Sequence, residues 1–145
     1  MDELVQREVP SPNWNERQLP ISMVVLHYTG MRTGEEALER MCDPAAEVSA
    51  HYMIEENGTV IRLVDEAKRA WHAGKSYWRG ITDVNSASIG IELVNPGHEW
   101  GYRPFTAAQM ESLLPLVGRI VRRHDIPRAN VVGHSDIAPS RKEDP

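Results

Sequence analysis

Near the C-terminal end of the chain, His134, Lys142 and Asp144 carry side chains suited to metal chemistry. His134 follows Val131-Val132-Gly133, a short apolar run closed by glycine, so it falls where a strand hands over to a loop. In an extended segment side chains two positions apart point the same way, so Lys142 and Asp144 can face one site. Imidazole, carboxylate and ammonium on one loop are ingredients of a hydrolytic metal centre. The alternative is a solvated tail whose charges point into water. His27 bears on that choice, because it too directly follows a β-type run, Ile21 to Leu26. If both strands lie near the centre of a sheet and run parallel, both imidazoles emerge at its carboxyl edge, where open α/β sheets place their ligands. Asp144 then adds an oxygen, giving His27, His134 and Asp144 as three protein ligands. The fourth position is left to water, which is the catalytic and not the structural pattern for zinc.

The elements that must position these residues read as one α/β domain of 145 residues, a mixed central β-sheet flanked by helices. Residues 1–20, broken by Pro10, Pro12 and Pro20, are expected to form an irregular arm anchored by Trp14, and 21–145 the catalytic domain. Gly34 to Met41 reads as a short helix. His51 to Glu55 and Thr59 to Val64 read as strands joined by Glu56-Asn57-Gly58, a hairpin signal. Ala67 to Asn85 is expected to be a long structured loop, and such loops often carry function. Ser88 to Val94 is a further strand, with Glu92 set in a mostly apolar run that a doubly buried strand would not welcome. Thr106 and Gln109 form a capping box at the start of the longest helix. Its apolar stripe is Met110, Leu113, Leu114, Val117 and Val121, and Pro115 should kink it or split its register.

The net charge of -5 is spread without a basic block, which argues against nucleic acid as a partner. Cys42 is the single cysteine, so neither an internal disulfide nor a cysteine-rich zinc knuckle is available. No apolar stretch approaches the roughly 20 residues of a membrane span, and the first 18 residues lack a signal-peptide pattern. As the chain stands it is expected in the cytoplasm; an envelope or periplasmic location would require a targeting segment absent from this sequence.

Five ordered motifs carry a resemblance. His27-Tyr28-Thr29, Trp71-His72-Ala73-Gly74, Ile89 to Asn95, Gly133 to Pro139, and Arg141-Lys142 followed by Asp144-Pro145 resemble the zinc-dependent N-acetylmuramoyl-L-alanine amidases of the amidase-2 family. That family spans recycling and envelope enzymes, phage endolysins and peptidoglycan recognition proteins. The resemblance covers about Ile21 to Pro145, and Ser76 to Gly80 looks closer to the envelope branch. It implies one zinc ion on His27, His134 and Asp144, with Glu92 and Lys142 beside it, and peptidoglycan or a muropeptide as substrate. Two departures stand out. Ala50 and Asp144 replace the tyrosine and cysteine common in the phage and recognition-protein branch. The family also usually continues past Asp-Pro, so a ligand one residue from the terminus is expected to leave the site weakened or partly disordered.

The implied reaction is hydrolysis of the amide between the lactyl group of N-acetylmuramic acid and L-alanine. Glu92, in an apolar strand, should have a raised pKa suited to moving a proton from water to the leaving amine, and Lys142 would stabilise the oxyanion. His72 either contacts the peptide stem or the carbonyl, or simply closes its loop. Trp71 and Trp78 either stack on sugar or peptide, or anchor the loop. His51 reads as a buried, hydrogen-bonded strand residue, His98 and His124 as surface residues, Asn57 as a turn residue and Cys42 as inert. The rival functions are a non-catalytic peptidoglycan-binding module, marked by loss of a ligand or of Glu92, and a zinc peptidase. The absence of His-Glu-x-x-His removes the commonest peptidase type.

Overall fold

Runs of β-branched and other apolar residues, too short for helices, build a six-stranded mixed sheet in the computed structural model, which describes residues 3–145. In chain order the elements are β1 (Arg7–Glu8), β2 (Trp14–Glu16), β3 (Met23–Tyr28), α1 (Gly34–Cys42), β4 (Tyr52–Ile54), β5 (Val60–Arg62), β6 (Lys68–Ala70) and α2 (Val84–Ala87). They continue with β7 (Ser88–Leu93), α3 (Gly97–Trp100), α4 (Ala107–His124), β8 (Val131–Gly133) and α5 (His134–Ile137). The sheet order is β1-β5-β4-β7-β3-β8, and β5 pairs antiparallel with β4 while the other pairings are parallel.

Alternation along the strands separates two faces. Val24, Ile89, Ile91, Tyr52 and Ile54 pack under α4 through Leu113, Leu116 and Ile120. The opposite face holds two smaller clusters, one around α1 (Ala37, Leu38, Met41, Met53) and one around Met23, Val25, Val84 and Ile137. His27 and Glu92 share this second face, since each lies an even number of positions from Val25 or Ser88, and they are register partners on β3 and β7. The functional face is therefore the one α4 leaves uncovered.

Several expectations need correction. The arm is not irregular: β1 adds in parallel to β5, which would otherwise be an edge strand with unpaired backbone groups, and β2 pairs antiparallel with β6 in a separate two-stranded sheet. Its anchor is Asn13, whose Nδ2 donates to the carbonyls of Asp43 and Val48, both at 2.9 Å, whereas Trp14 is exposed under Lys68. The Ala67–Asn85 stretch contains β6 and the start of α2. β8 lies at the sheet edge and not near its centre. α4 carries the expected capping box but runs unbroken through Pro115, on an exposed stripe with Glu111 where water can take up the freed carbonyl. Leu114 also faces solvent, and Leu116 and Ile120 fill the core in its place.

The hairpin between β4 and β5 turns at Gly58, whose φ of 90° and closeness to the Ala108 carbonyl (2.8 Å from a Cβ placed there) both require glycine. Asn57 Oδ1 accepts the Thr59 N–H at 2.9 Å, a turn role as expected.

Candidate metal centre and active site

β3 delivers His27 one residue before its end, and β8, its parallel neighbour, stops at Gly133 so that His134 opens α5. After α5 the chain turns back: the N–H groups of Arg141 and Lys142 donate to the Ala138 carbonyl, and the Ser135 N–H donates to the Asp144 carbonyl at 2.8 Å. That return brings Asp144 onto the two histidines. His27 Nδ1 lies 3.0 Å from His134 Nδ1 and 3.1 Å from Asp144 Oδ2, and His134 Nδ1 lies 3.4 Å from Asp144 Oδ2. All three residues are buried. The Asp144 side chain is buried, and its backbone carbonyl is held by the first turn of α5.

The donor set fits a metal ion. His134 Nε2 faces the Ala73 carbonyl at 2.8 Å, and a carbonyl only accepts, so Nε2 carries the proton and Nδ1 its lone pair. That lone pair is aimed at a carboxylate oxygen and a second imidazole nitrogen, an arrangement that a shared cation satisfies. Burial raises the Asp144 carboxyl, but positive charge beside it, on the His134 and His27 imidazoles when they are protonated, holds it well below the usual carboxylate range. Burial lowers His27, against the pull of Asp144.

Glu92 Oε2 stands 3.5 Å from His27 Nδ1, with Met53 its register partner on β4. Burial, and then the negative charge of Asp144, push its carboxyl well above the ordinary value of 4.5, while Lys142 pulls the other way. Lys142 is exposed on the rim of the same cleft, a hollow of about 390 Å³ that also includes Tyr28, Arg40 and Trp71.

The N-acetylmuramoyl-L-alanine amidase profile (amidase-2) matches residues 17–145. The chain belongs to the amidase-2 family. Its relatives include N-acetylmuramoyl-L-alanine amidase AmiD of Escherichia coli, 42% identical over an alignment covering 86% of this chain and 49% of AmiD. They also include 1,6-anhydro-N-acetylmuramyl-L-alanine amidase AmpD of Haemophilus influenzae, 35% identical and covering 96% of this chain and 84% of AmpD. The chain therefore spans about half the length of AmiD and most of AmpD. Among solved structures, AmiD of E. coli in complex with anhydro-N-acetylmuramic acid-L-Ala-D-gamma-Glu-L-Lys superposes with a TM-score of 0.79 at 40% identity, covering 86% of this chain and 52% of AmiD. A selenomethionine derivative of AmpD superposes with a TM-score of 0.87 at 32% identity, covering 100% of this chain and 89% of AmpD.

Other positions in this amidase-2 chain divide clearly. Trp71 lines the cleft, with its indole N–H on Asn15 Oδ1 at 3.0 Å. Trp78 does not: it packs against the Met23–Ile137 cluster and donates to Asn130 Oδ1, so it anchors its loop. His72 reaches the site, but both ring nitrogens are engaged, Nδ1 by His27 at 2.9 Å and Nε2 by Ser88 Oγ at 3.1 Å. Neither is left over for a peptide stem, against one of the roles expected for it.

His51 is buried and bonded to the Gly90 N–H and the Lys68 carbonyl, and His98 is exposed, both as read from the sequence. His124 is half-buried and bonded to Glu66 Oε1 at 2.7 Å, which corrects its surface assignment. Cys42 is half-buried, its thiol raised by burial, consistent with an inert role.

The supporting roles of Ala73, Asn85, Ser88 and Gly90 were not legible in the sequence. A glycine in the middle of the apolar run Ile89 to Val94 was the available signal, since it marks a close approach.

Proposed function

We propose that this chain is a zinc amidase that hydrolyses the bond between the lactyl carbonyl of N-acetylmuramic acid and the L-alanine nitrogen of a muropeptide or of peptidoglycan. The observation that carries this reading is the triangle of His27, His134 and Asp144 ligand atoms with the Glu92 carboxylate beside it. Ligand atoms at 2.0–2.1 Å from a tetrahedral zinc lie roughly 3.3 Å apart, and the three edges here, 3.0, 3.1 and 3.4 Å, are close to that. Two imidazoles and one carboxylate leave a fourth position open, the pattern of catalytic zinc sites. When bound, zinc supplies Lewis-acid polarisation of the scissile carbonyl and acidification of a water molecule.

The chain's own groups supply the proton transfers. Glu92 takes the proton from the water whose oxygen forms the new bond to the carbonyl carbon. It then delivers that proton to the alanine nitrogen as the C–N bond breaks, so the amine leaves neutral. The raised affinity of Glu92 for a proton suits both halves of that transfer. The Lys142 ammonium, on the rim near Glu92, stabilises the negative oxygen of the tetrahedral intermediate. Arg40 and Lys142 in the cleft favour an acidic peptide stem, and AmiD with its bound anhydromuramyl peptide supports a ligand of that class.

A non-catalytic binding module has no need of a half-buried carboxylate beside three convergent ligands, and so accounts for less of the site. The deciding experiment digests purified sacculi and soluble anhydromuropeptides side by side, with and without chelator, and weighs the products. Release of free stem peptide with new L-alanine amino termini, abolished by chelator and restored by zinc, is the expected result. Binding without release assigns the chain to the recognition class.

A further inference from the structure

Two carbonyl oxygens, those of Val84 and Ala73, accept hydrogen bonds here and can never donate them. Ser88 Oγ donates its only proton to the Val84 carbonyl at 2.6 Å. The same oxygen lies 3.1 Å from His72 Nε2, and with its proton already committed it can only accept there, so His72 Nε2 carries a hydrogen. A neutral imidazole has one N–H, which leaves His72 Nδ1 bare. That bare nitrogen sits 2.9 Å from His27 Nε2, which must therefore be the donor. His27 Nδ1 is then left with its lone pair, and Nδ1 is the atom that faces Asp144 and His134.

We infer that His72 and Ser88 form a one-way hydrogen-bond relay, running from His27 to the Val84 carbonyl, that holds His27 in the tautomer whose Nδ1 is free to bind the metal. The inference rests on the metal-hydrolase reading above, and it makes His72 a positioning residue, not a substrate contact. Reversing the relay would require the Val84 carbonyl to donate or Ser88 to abandon it.

The surroundings are built for this relay. A Cβ on Gly90 would lie 2.5 Å from His72 Cγ and Cδ2, so β7 needs glycine where the His72 ring comes closest to its backbone. Asn85 Oδ1 accepts the backbone N–H groups of both His72 and Ala73, at 3.0 and 2.8 Å, which fixes the loop. The next residue in that loop sets the other imidazole, because the Ala73 carbonyl accepts the His134 Nε2 proton. Two adjacent residues of Trp71-His72-Ala73-Gly74 thus select the tautomer of both histidine ligands, one by side chain and one by backbone. Ligand histidines held by outer hydrogen bonds of this kind commonly lose about 10- to 100-fold in metal affinity when the partner is removed.

The test reads tautomers directly, by nitrogen-15 NMR of histidine side chains in metal-free protein at mildly alkaline pH, and zinc affinity by chelator competition. In the wild type, His27 and His72 should both carry their proton on Nε2. His72→Leu should populate the Nδ1–H form of His27 and weaken zinc about 10- to 100-fold. His72→Asn, whose amide oxygen can accept in place of Nδ1, should restore much of that affinity. Ser88→Ala, a smaller perturbation of packing, should mix the His72 tautomers. A wild-type His27 protonated on Nδ1, or folded His72→Leu and Ser88→Ala proteins with unchanged His27 tautomer and zinc affinity, overturns the relay. If the tautomers are as stated but the wild type releases no peptide from any muropeptide, the functional reading falls and the relay stands.

Discussion

Glu92 and His27 face each other as register partners on the parallel strands β7 and β3, and the Glu92 Oε2 to His27 Nδ1 distance is 3.5 Å. Parallel pairing is what makes this possible. It keeps side chains of two chain-distant segments on one face at one level, so a proton carrier stands next to a ligand without any loop having to place it. Replacing Glu92 with Gln removes the carrier and keeps the shape. Turnover should fall by at least about 100-fold, the usual contribution of a positioned acid–base group, with one zinc still bound per chain. Turnover and metal content of the variant, measured together, check this; retained activity would take Glu92 out of the mechanism.

Lys142→Met should lower kcat far more than it raises KM, by about 100-fold or more if the ammonium serves the oxyanion. A second effect has a definite sign. The Lys142 charge favours the ionised form of Glu92, so its loss raises the Glu92 pKa further, and the acid limb of the pH–rate profile should move to higher pH. Steady-state kinetics across the acidic range reads both.

Asp144→Ala should reduce zinc content below one ion per chain, because two imidazoles alone make a weak site. In the intact protein, zinc binding stabilises the folded state by mass action, about 2.7 kcal/mol at a hundred times Kd. The melting temperature should rise with zinc concentration in the wild type and stay flat in Asp144→Ala. Thermal melts over a zinc series decide it.

His51 gives the fold a pH dependence of its own. Burial, with the Arg17 charge nearby, pushes its imidazole from the ordinary 6.5 down to about 4. Between those values the unfolded chain binds the proton and the folded one does not, so stability falls as pH drops through that window. The gap is worth about 3 kcal/mol in total. Urea unfolding at neutral pH and near pH 4, comparing wild type with His51→Gln, should show a shallower pH slope in the variant.

Within α4, Leu116→Ala should cost about 2–5 kcal/mol, as expected for a fully buried leucine, while Leu114→Ala should change stability by no more than about 0.5 kcal/mol. Denaturant midpoints of the two variants separate the helix's true buried face from the one its periodicity suggests.

From residue order alone, the central strands, the capping box at Thr106, the Asn57-Gly58 hairpin and the candidate ligands His27, His134 and Asp144 were legible. The strands, cap and hairpin rest on local rules, apolar runs and turn chemistry, and strand ends place the two histidines, whereas the full ligand set with Asp144 rested on the family resemblance. Long-range contact decided the rest. Pairing of the arm with β5 and β6 depends on partners more than fifty positions away in sequence, an open sheet edge at β5 and an otherwise unpaired segment at β6. The rotation of α4 followed the shape of the sheet beneath it and overrode the apolar pattern that includes Leu114. The enclosure of Asp144 comes from a backbone bond to Ser135, nine positions back, and the orientation of both imidazoles comes from a loop some sixty positions before His134. A sequence specifies which groups are available, but only packing sets which nitrogen of a histidine is left bare.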